Sequence, residues 1–219
     1  MNPQNKLENI RTDYKKGELL HSTLFENPIR QFEKWFEEAQ NAQVLEPNAM
    51  TLATANADGI PDARIVLLKG LDEDGFRFYT NYNSTKGQEL KENPQTCLVF
   101  FWPELERQVR ITGMAYKLPE VTSENYFQSR PKASQIGAWA SPQSQVIEDR
   151  TILEDNVQNL QEEYAEQEQL PKPPHWGGYI VKPYKIEFWQ GRSSRLHDRL
   201  QYTLTELNPK KWTVERLAP

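Results

Sequence analysis

Short apolar runs rich in β-branched and aromatic residues dominate the middle of the chain. Turn-forming stretches such as ADGIPD and DEDG separate them, and the runs themselves are AMTLATAN, ARIVLLKGL, FRFYTNY, TCLVFFW and RQVRITGMAYKL. Runs of this kind predict β-strands. Further runs follow near the C-terminus: WGGYIVKP, KIEFWQG, RLQYTLTEL and KWTVERL. Most connections are too short for the crossover that parallel pairing needs, so we expect antiparallel hairpins arranged as a meander or a barrel.

Helical patterns occur at a few places around these strands. Asn27 followed by Pro28 predicts a helix start, because Asn caps helices well and Pro suits the first helical position. The stretch STKGQELKEN predicts a second helix capped by Ser84 or Thr85, and PEVTSENYFQSR predicts a third. A longer helix is predicted from about Val146 to Gln169. Its apolar stripe consists of Leu153, Val157, Leu160 and Tyr164.

The polar N-terminal segment differs from the rest of the chain. Residues 1–25 show little apolar periodicity, so we interpret them as an extension rather than as core, and residues 26–219 as a single domain. The predicted fold class is mainly β with peripheral helices (α+β), built as an antiparallel barrel. The N-terminus has no apolar signal core and no segment approaches transmembrane length, so we expect a soluble cytoplasmic protein.

The composition limits the classes of partner. The 219 residues carry a formal net charge of −5, and 37% of them are hydrophobic. Nucleic-acid-binding domains usually show a basic excess, so we expect small anionic ligands and neither a nucleic-acid nor a membrane partner. A homo-oligomer that shares part of its core would compensate for the small apolar fraction. The single cysteine, Cys97, is predicted to be a buried hydrophobic residue in a reducing compartment.

Familiar motifs for nucleotides, hydrolytic chemistry and metals are missing. The sequence contains no GxGxxG, P-loop or GxSxG pattern. The three histidines, His21, His175 and His197, are far apart and lack cysteine partners, so no zinc site is expected. The candidate chemistry therefore rests on basic residues within or beside apolar strands.

Two cations flank the apolar run ARIVLLKG. In a regular strand Arg64 and Lys69 lie on opposite faces. Solvation of the strand ends explains either cation alone, because Arg and Lys are mostly exposed. Together they also allow two anion sites that one strand separates.

Two further places combine hydroxyl groups with cations. Lys86 lies at a predicted helix start, where free N–H groups favour phosphate, although a plain capped helix has the same pattern. Tyr126 and Arg130 are four residues apart on one helical face, and Ser134 follows Pro131, which ends or restarts the helix. These hydroxyl and guanidinium groups could converge on a phosphate or form an exposed helix end.

The run FWQGRSSRLHDRL, from Phe188 to Leu200, places arginines and a histidine directly behind two aromatic residues. Guanidinium groups this close repel one another unless anions or carboxylates lie between them. Asp198 is predicted to pair with one of them. A solvated strand end is the simpler interpretation of Arg195 and His197.

A group of stretches in a particular order carries a more specific signal: RIVLLKG, FYTN, LERQVRITG, YFQSRPKASQIGAWAS, IEFWQGRSSRLHDR and ERLAP. Together they strongly resemble the pyridoxine (pyridoxamine) 5′-phosphate oxidase family, from about Ile10 to Pro219. The resemblance implies an FMN-binding split β-barrel and a homodimer with FMN at its interface. It also implies oxidation of pyridoxine 5′-phosphate or pyridoxamine 5′-phosphate to pyridoxal 5′-phosphate, by hydride transfer to flavin N5, with O2 reduced to H2O2.

The resemblance also implies site residues. FMN would be bound by Arg64, Ile65, Val66, Leu67, Leu68, Lys69, Tyr79, Thr80, Thr85, Lys86, Gln108, Gln143, Ser144, Trp189 and Arg199. The substrate would be bound by Arg11, Tyr14, Lys69, Tyr126, Arg130, Ser134, Arg195 and His197. Arg195 and His197 would be the catalytic pair at the reacting carbon. Arg199 would stabilise the reduced flavin with its positive charge.

One position departs from the family pattern. Members usually have Ser-Arg-Lys where this chain has Ser84, Thr85 and Lys86, so one expected arginine contact to the FMN phosphate is missing. Hydrogen bonds to charged groups are worth roughly 1.5–3 kcal/mol, so we expect a modest loss of FMN affinity unless the Thr85 hydroxyl and the helix N–H groups compensate. Two alternative functions stay open: another split-barrel flavin reductase or oxidase, and a non-catalytic protein that binds FMN or pyridoxal phosphate.

Overall fold

The computed structural model describes residues 8–9 and 12–219. These residues form two compact units, each assembled from separate stretches of the chain. The first unit contains the described residues up to Pro47 together with Val99–Thr112 and Tyr184–Pro219, and the second contains Asn48–Leu98 and Gly113–Pro183. The predicted division into an extension over 1–25 and a domain over 26–219 stays a prediction.

Antiparallel β-strands form most of the regular structure. They are β1 (Ala49–Ala55), β2 (Pro61–Leu67), β3 (Gly70–Asp72), β4 (Gly75–Asn81), β5 (Gln95–Trp102), β6 (Arg107–Lys117), β7 (Trp176–Gln190), β8 (Asp198–Leu207) and β9 (Lys210–Arg216). The hydrogen-bonded order is β2-β1-β5-β6-β7-β4-β3, and the second unit contains part of β5, β6 and β7 and the whole of the other four strands. In the first unit β8 pairs with both β7 and β9. The β1–β2, β3–β4, β4–β7, β7–β8 and β8–β9 pairs are antiparallel, which confirms the predicted pairing.

Helices make up a smaller part of the described chain. They are α1 (Pro28–Asn41), α2 (Thr85–Glu92), α3 (Glu120–Gln128), α4 (Lys132–Ala140) and α5 (Thr151–Glu163), with 3₁₀ turns at His21–Thr23, Pro103–Leu105 and Ser193–Arg195. Asn27 caps α1 by accepting a hydrogen bond from the Ile29 N–H at 2.8 Å. Ser84, one of the two candidate caps, accepts from the Gly87 N–H at the start of α2. No helix within the described ranges is both long and apolar enough to cross a membrane.

Aromatic residues fill the interior of each unit. In the first unit Phe32 and Trp35 of α1 pack against Phe100 and Phe188, with ring centroids 4.9 and 5.1 Å apart respectively. The second unit has a buried cluster around Trp176, which the apolar stripe at α5 contacts. The buried members and the residues of the stripe that pack against them are Phe127, Ile136, Leu170, Trp176, Val157, Leu160 and Tyr164.

Local predictions differ from the structure at three places. The helix predicted over Val146–Gln169 is shorter, because Asp149 accepts a hydrogen bond from the Thr151 N–H at its start and the chain turns soon after Glu163. A single strand, β7, replaces two predicted strands. Its partner changes from β4 to β8 near Pro183, which has no N–H to donate. Cys97 is half-buried on β5, so it is more accessible than predicted.

Candidate active site

A cavity of about 800 Å³ lies within the second unit. Residues of β2, β4, α2, α3 and α4 line it. Its volume is typical of small-molecule sites, which enclose about 300–1,000 Å³. The predicted site residues in its lining are Arg64, Ile65, Val66, Leu67, Lys69, Tyr79, Thr80, Lys86, Tyr126, Arg130, Ser134 and Gln143. Side chains that are far apart in the sequence thus meet around one space.

Strand β2 shows the predicted alternation of side chains. Arg64 and Val66 are half-buried, whereas Ile65 and Leu67 are exposed. The regular strand ends at Leu67, and alternation no longer fixes the direction of side chains beyond that point. Arg64 and Lys69 both line the cavity, and the interpretation of two anion sites stays a prediction.

Acceptors of the second unit hold the Arg64 guanidinium group on several sides. Its Nη2 donates to the carboxylates of Glu89 at 3.0 Å and Asp62 at 2.6 Å. Its Nη1 donates to the Thr54 hydroxyl group and to the Leu52 carbonyl oxygen. Thr54 in turn donates to Glu89 at 2.5 Å, and both of these residues are buried. The orientation of Arg64 is therefore fixed by its own chain before a ligand binds.

Lys86 lies in the first turn of α2 and is largely buried. Its ammonium group is 3.5 Å from the Ser84 hydroxyl oxygen and 3.5 Å from the side-chain oxygen of Gln143, which are long contacts. Burial lowers the pKa of Lys86, and the positive charge of Arg64 lowers it further. Thr85 is exposed and is not part of the cavity lining. The start of α2 thus offers a cation whose own hydrogen bonds are weak.

Three aromatic rings are stacked beside the cavity. The centroids of Tyr79 and Tyr126 are 3.8 Å apart with an interplanar angle of 18°, and Trp176 lies 5.4 Å from Tyr79 at 11°. Burial raises the pKa of both tyrosine hydroxyl groups, so both remain protonated donors at neutral pH. Trp176 was missed in the sequence, although its position before two glycines in a strand pattern signalled a close approach of other groups.

Arg130 has few partners of its own. It lies between the end of α3 and Pro131, after which the chain restarts as α4, and its guanidinium carbon is 4.7 Å from the Trp176 ring centroid. Its Nη1 is buried and has no hydrogen-bond partner among the residues that the structure describes. Burial lowers the pKa of Arg130. Tyr126 and Ser134 also line the cavity, which favours the first of the two interpretations of this segment, hydroxyl and guanidinium groups around one space.

In the first unit, Tyr14, Trp189 and His197 form an aromatic cluster. The Trp189 and His197 centroids are 4.6 Å apart, and Tyr14 lies 5.8 and 5.9 Å from them. The Arg192 N–H donates to His197 Nδ1 at 3.1 Å, which leaves the proton of the neutral ring on Nε2. Burial, and after it the positive charge of Arg195, lower the pKa of His197. The neutral imidazole is therefore the form present at neutral pH.

The basic run around this cluster is partly neutralised by carboxylates. Arg199 donates to the buried carboxylate of Glu187 at 2.7 Å. Asp198 pairs with Arg192 at 3.5 Å, which confirms the predicted pairing with a neighbouring arginine. Arg195 is exposed and has a left-handed backbone with φ 62°.

Four of the predicted site residues either do not line the cavity or lie outside the described residues. Leu68 is buried, Ser144 is exposed, and Gln108 is half-buried on β6 of the first unit. Leu68 and Ser144 are not part of the cavity lining. Arg11 lies outside the described residues.

Known proteins resemble this chain over nearly its whole length. Residues 36–164 match the family profile described as Pyridoxamine 5'-phosphate oxidase, and residues 176–219 match the Pyridoxine 5'-phosphate oxidase C-terminal dimerisation region. The Pyridoxine/pyridoxamine 5'-phosphate oxidase of Salinibacter ruber is 54% identical over 214 residues, which are 98% of this chain and 99% of the relative. The protein of that name from Trichormus variabilis is 56% identical over 213 residues, 97% and 98% of the two chains.

A solved structure extends the likeness to three dimensions. PhzG from Burkholderia lata 383, in complex with tetrahydrophenazine-1-carboxylic acid, has a TM-score of 0.86 at 32% identity and covers 94% of this chain and 100% of its own. The antiparallel sheet with few helices is thus a split barrel, as predicted. The chain belongs to the pyridoxamine 5′-phosphate oxidase family. The names of its relatives support an oxidoreductase, and the family supports flavin binding and a homodimer.

Proposed function

We propose that this protein is an FMN-dependent oxidase that converts pyridoxine 5′-phosphate or pyridoxamine 5′-phosphate to pyridoxal 5′-phosphate. O2 would take up the electrons and leave as H2O2, and the oxidised amine substrate would also take up water and release ammonia. The observation that carries the proposal is one cavity lined by Arg64, Lys86, Lys69 and Arg130 beside an aromatic stack. A flavin phosphate and a substrate phosphate would each need such cationic donors.

The donors at the start of α2 suit the phosphate of FMN. Arg64, Lys86 and the free N–H groups of the first helical turn would bind it, with Thr80 and Gln143 beside them. The bound flavin would supply the hydride acceptor at N5 for the oxidation. We propose from the family resemblance alone that four further residues complete this site. They are Gln108, Ser144, Trp189 and Arg199.

The substrate phosphate would bind at Arg130. A phosphate oxygen would give the buried Nη1 the hydrogen bond that it lacks within the described part of the chain. Tyr126 keeps its proton because burial raises its pKa, so it would donate a further hydrogen bond, as would Ser134. Lys69, which is exposed at the same cavity, would add a second positive charge.

His197 and Arg195 would orient the ring of the substrate. Because the Arg192 N–H occupies Nδ1, His197 would donate from Nε2 to a polar ring substituent near the reacting carbon. Tyr14 belongs to the same aromatic cluster, with its ring centroid 5.9 Å from that of His197, and would help to cover the substrate. Arg11 is proposed to act with it, on the resemblance alone.

The proposed assembly is a homodimer with FMN at the subunit interface, in the cytoplasm. The match of residues 176–219 to a dimerisation region supports the dimer. Sedimentation of the purified protein should give twice the chain mass of 25.6 kDa. A stable monomer that binds FMN and turns over would contradict the interface assignment.

Oxygen consumption tests the proposed reaction. FMN-loaded protein should consume O2 with pyridoxamine 5′-phosphate and form pyridoxal 5′-phosphate and H2O2, whereas unphosphorylated pyridoxamine should react far more slowly. Flavin binding without oxygen uptake from either phosphorylated substrate would refute the oxidase and leave a binding protein. Equal rates with and without the phosphate group would favour another split-barrel flavin oxidase.

A further inference from the structure

We propose that Glu89 determines how strongly this protein prefers a phosphorylated flavin, because its carboxylate competes with the flavin phosphate for Arg64. The inference rests on the proposed function, since it takes Arg64 and Lys86 as the phosphate donors. It assigns a role to a residue that lies behind the cavity wall and is itself buried.

The guanidinium group of Arg64 already has several hydrogen-bond partners. Both terminal nitrogens already donate to two acceptors each, and Glu89 accepts from Nη2 at 3.0 Å. Thr54 fixes the same carboxylate oxygen of Glu89 through a hydrogen bond of 2.5 Å. A phosphate that approaches Arg64 therefore finds the strongest donors of this guanidinium group occupied, and it must share them with a buried carboxylate.

The charges around Arg64 balance one another. Arg64 and Lys86 contribute two positive charges, and Asp62 and Glu89 contribute two negative charges, so this group of four is neutral before a ligand arrives. Both carboxylates act electrostatically on the Lys86 ammonium group as well. The exposed Thr85 adds no charge at the start of α2. A phosphate dianion would leave this group with an excess of negative charge.

The variant Glu89→Gln separates charge from shape. The glutamine side chain has nearly the same size, and its carbonyl oxygen can still accept from Arg64 and Thr54. Only the negative charge disappears. Removal of one like charge next to a bound dianion should tighten FMN binding by about tenfold after solvent screening.

The test is a titration of the flavin-free protein with FMN and, separately, with riboflavin, followed by quenching of flavin fluorescence. Riboflavin has the same ring system and no phosphate. Glu89→Gln should lower the Kd for FMN by about tenfold and leave the Kd for riboflavin unchanged. Glu92→Gln is the matched control, because it makes the same change at an exposed position of the same helix and should alter neither Kd.

If thermal unfolding shows that Glu89→Gln is poorly folded, a second variant still tests the proposal. Asp62→Asn removes the other carboxylate partner of Arg64, whose side chain is 51% exposed, so FMN should bind only about two- to threefold more tightly. An unchanged ratio of FMN to riboflavin affinity in both variants would overturn the inference alone. Failure of the unaltered protein to bind either flavin would overturn the proposed function and this inference together.

Discussion

Two arginines line the same cavity in opposite states. Arg64 donates to acceptors of its own unit through both terminal nitrogens, and two of those acceptors are carboxylates. Arg130 lies over the Trp176 ring, and its buried Nη1 finds no hydrogen-bond partner in the described part of the chain. We infer from this contrast that the acceptors already around a cation, and not its position alone, determine how much it contributes to anion binding. A shared guanidinium group gains less from a new anion than an unpaired one.

Replacement of Arg130 should have the largest effect on catalysis. In Arg130→Ala the substrate phosphate loses a desolvated charge partner worth ~3 kcal/mol, so kcat/KM for pyridoxamine 5′-phosphate should fall by about a hundredfold. Oxygen uptake measures the change, and Arg130→Lys should recover part of it because it keeps the charge. The same relative loss with unphosphorylated pyridoxamine would mean that Arg130 does not act through the phosphate.

Replacement of Arg64 should weaken FMN binding by a smaller factor than replacement of Arg130 lowers kcat/KM, although Arg64 has more hydrogen-bond partners. Because carboxylates already offset its charge, Arg64→Met should weaken FMN binding by only about tenfold in a fluorescence titration. The change also leaves Glu89 buried without its cation, so the double variant Arg64→Met/Glu89→Gln should unfold at a higher temperature than Arg64→Met. A loss of FMN affinity as large as the effect of Arg130→Ala on catalysis would end the contrast between the two arginines.

His197, in the first unit, provides a control for the two arginines. His197→Asn should lower kcat by about tenfold and leave the preference for phosphorylated over unphosphorylated substrate unchanged. The pKa of His197 is below its usual 6.5, so the active neutral form should persist as pH falls to 6.5 and be lost only at lower pH. The pH profile of kcat/KM should show this decline, and His197→Asn should remove it. A full rate in the variant would exclude an essential role for His197.

Addition of charge at the start of α2 should give the smallest change. Thr85→Arg places a cation at an exposed position beside Lys86, where solvent screens it, so FMN should bind about three- to fivefold more tightly. Thr85→Gln is the uncharged control of similar length and should have no effect. Unchanged FMN affinity in Thr85→Arg would show that the helix N–H groups already compensate for the missing arginine.

Much of the fold follows from local patterns in the sequence. Short runs rich in β-branched and aromatic residues predicted the strands, and the Asn27 cap predicted the start of α1 because capping acts within one turn. The ends of α5 were predicted less accurately, because the polar stretches on both sides of it are compatible with helix. Local contacts, such as the one to Asp149 at its start, determine where the helix begins. The split of β7 at Pro183 was wrong because strand pairing outweighs one missing donor there.

Sequence reasoning predicted the parts of the site whose residues are close together in the chain. It missed the parts that depend on contacts between distant residues. Tyr126, Arg130 and Ser134 are close in sequence and line the same cavity, one of the two arrangements that their spacing allowed. Glu89 and Thr54 were missed, because they meet only where β1 and α2 come together, 35 residues apart. The spacing of Lys86 and Glu89, three residues apart on one helix, was the available signal.

A crystal structure of the protein with FMN and pyridoxal 5′-phosphate bound would test the account most directly. We expect two phosphate groups in the cavity, the product phosphate bonded to Arg130 Nη1 and the flavin phosphate bound by Lys86, the start of α2 and Arg64, which it shares with Glu89. Glu89 should remain bonded to Arg64 with both ligands present. A product phosphate bound away from Arg130, or a flavin phosphate that displaces Glu89 from Arg64, would contradict the difference between the two arginines on which the account rests.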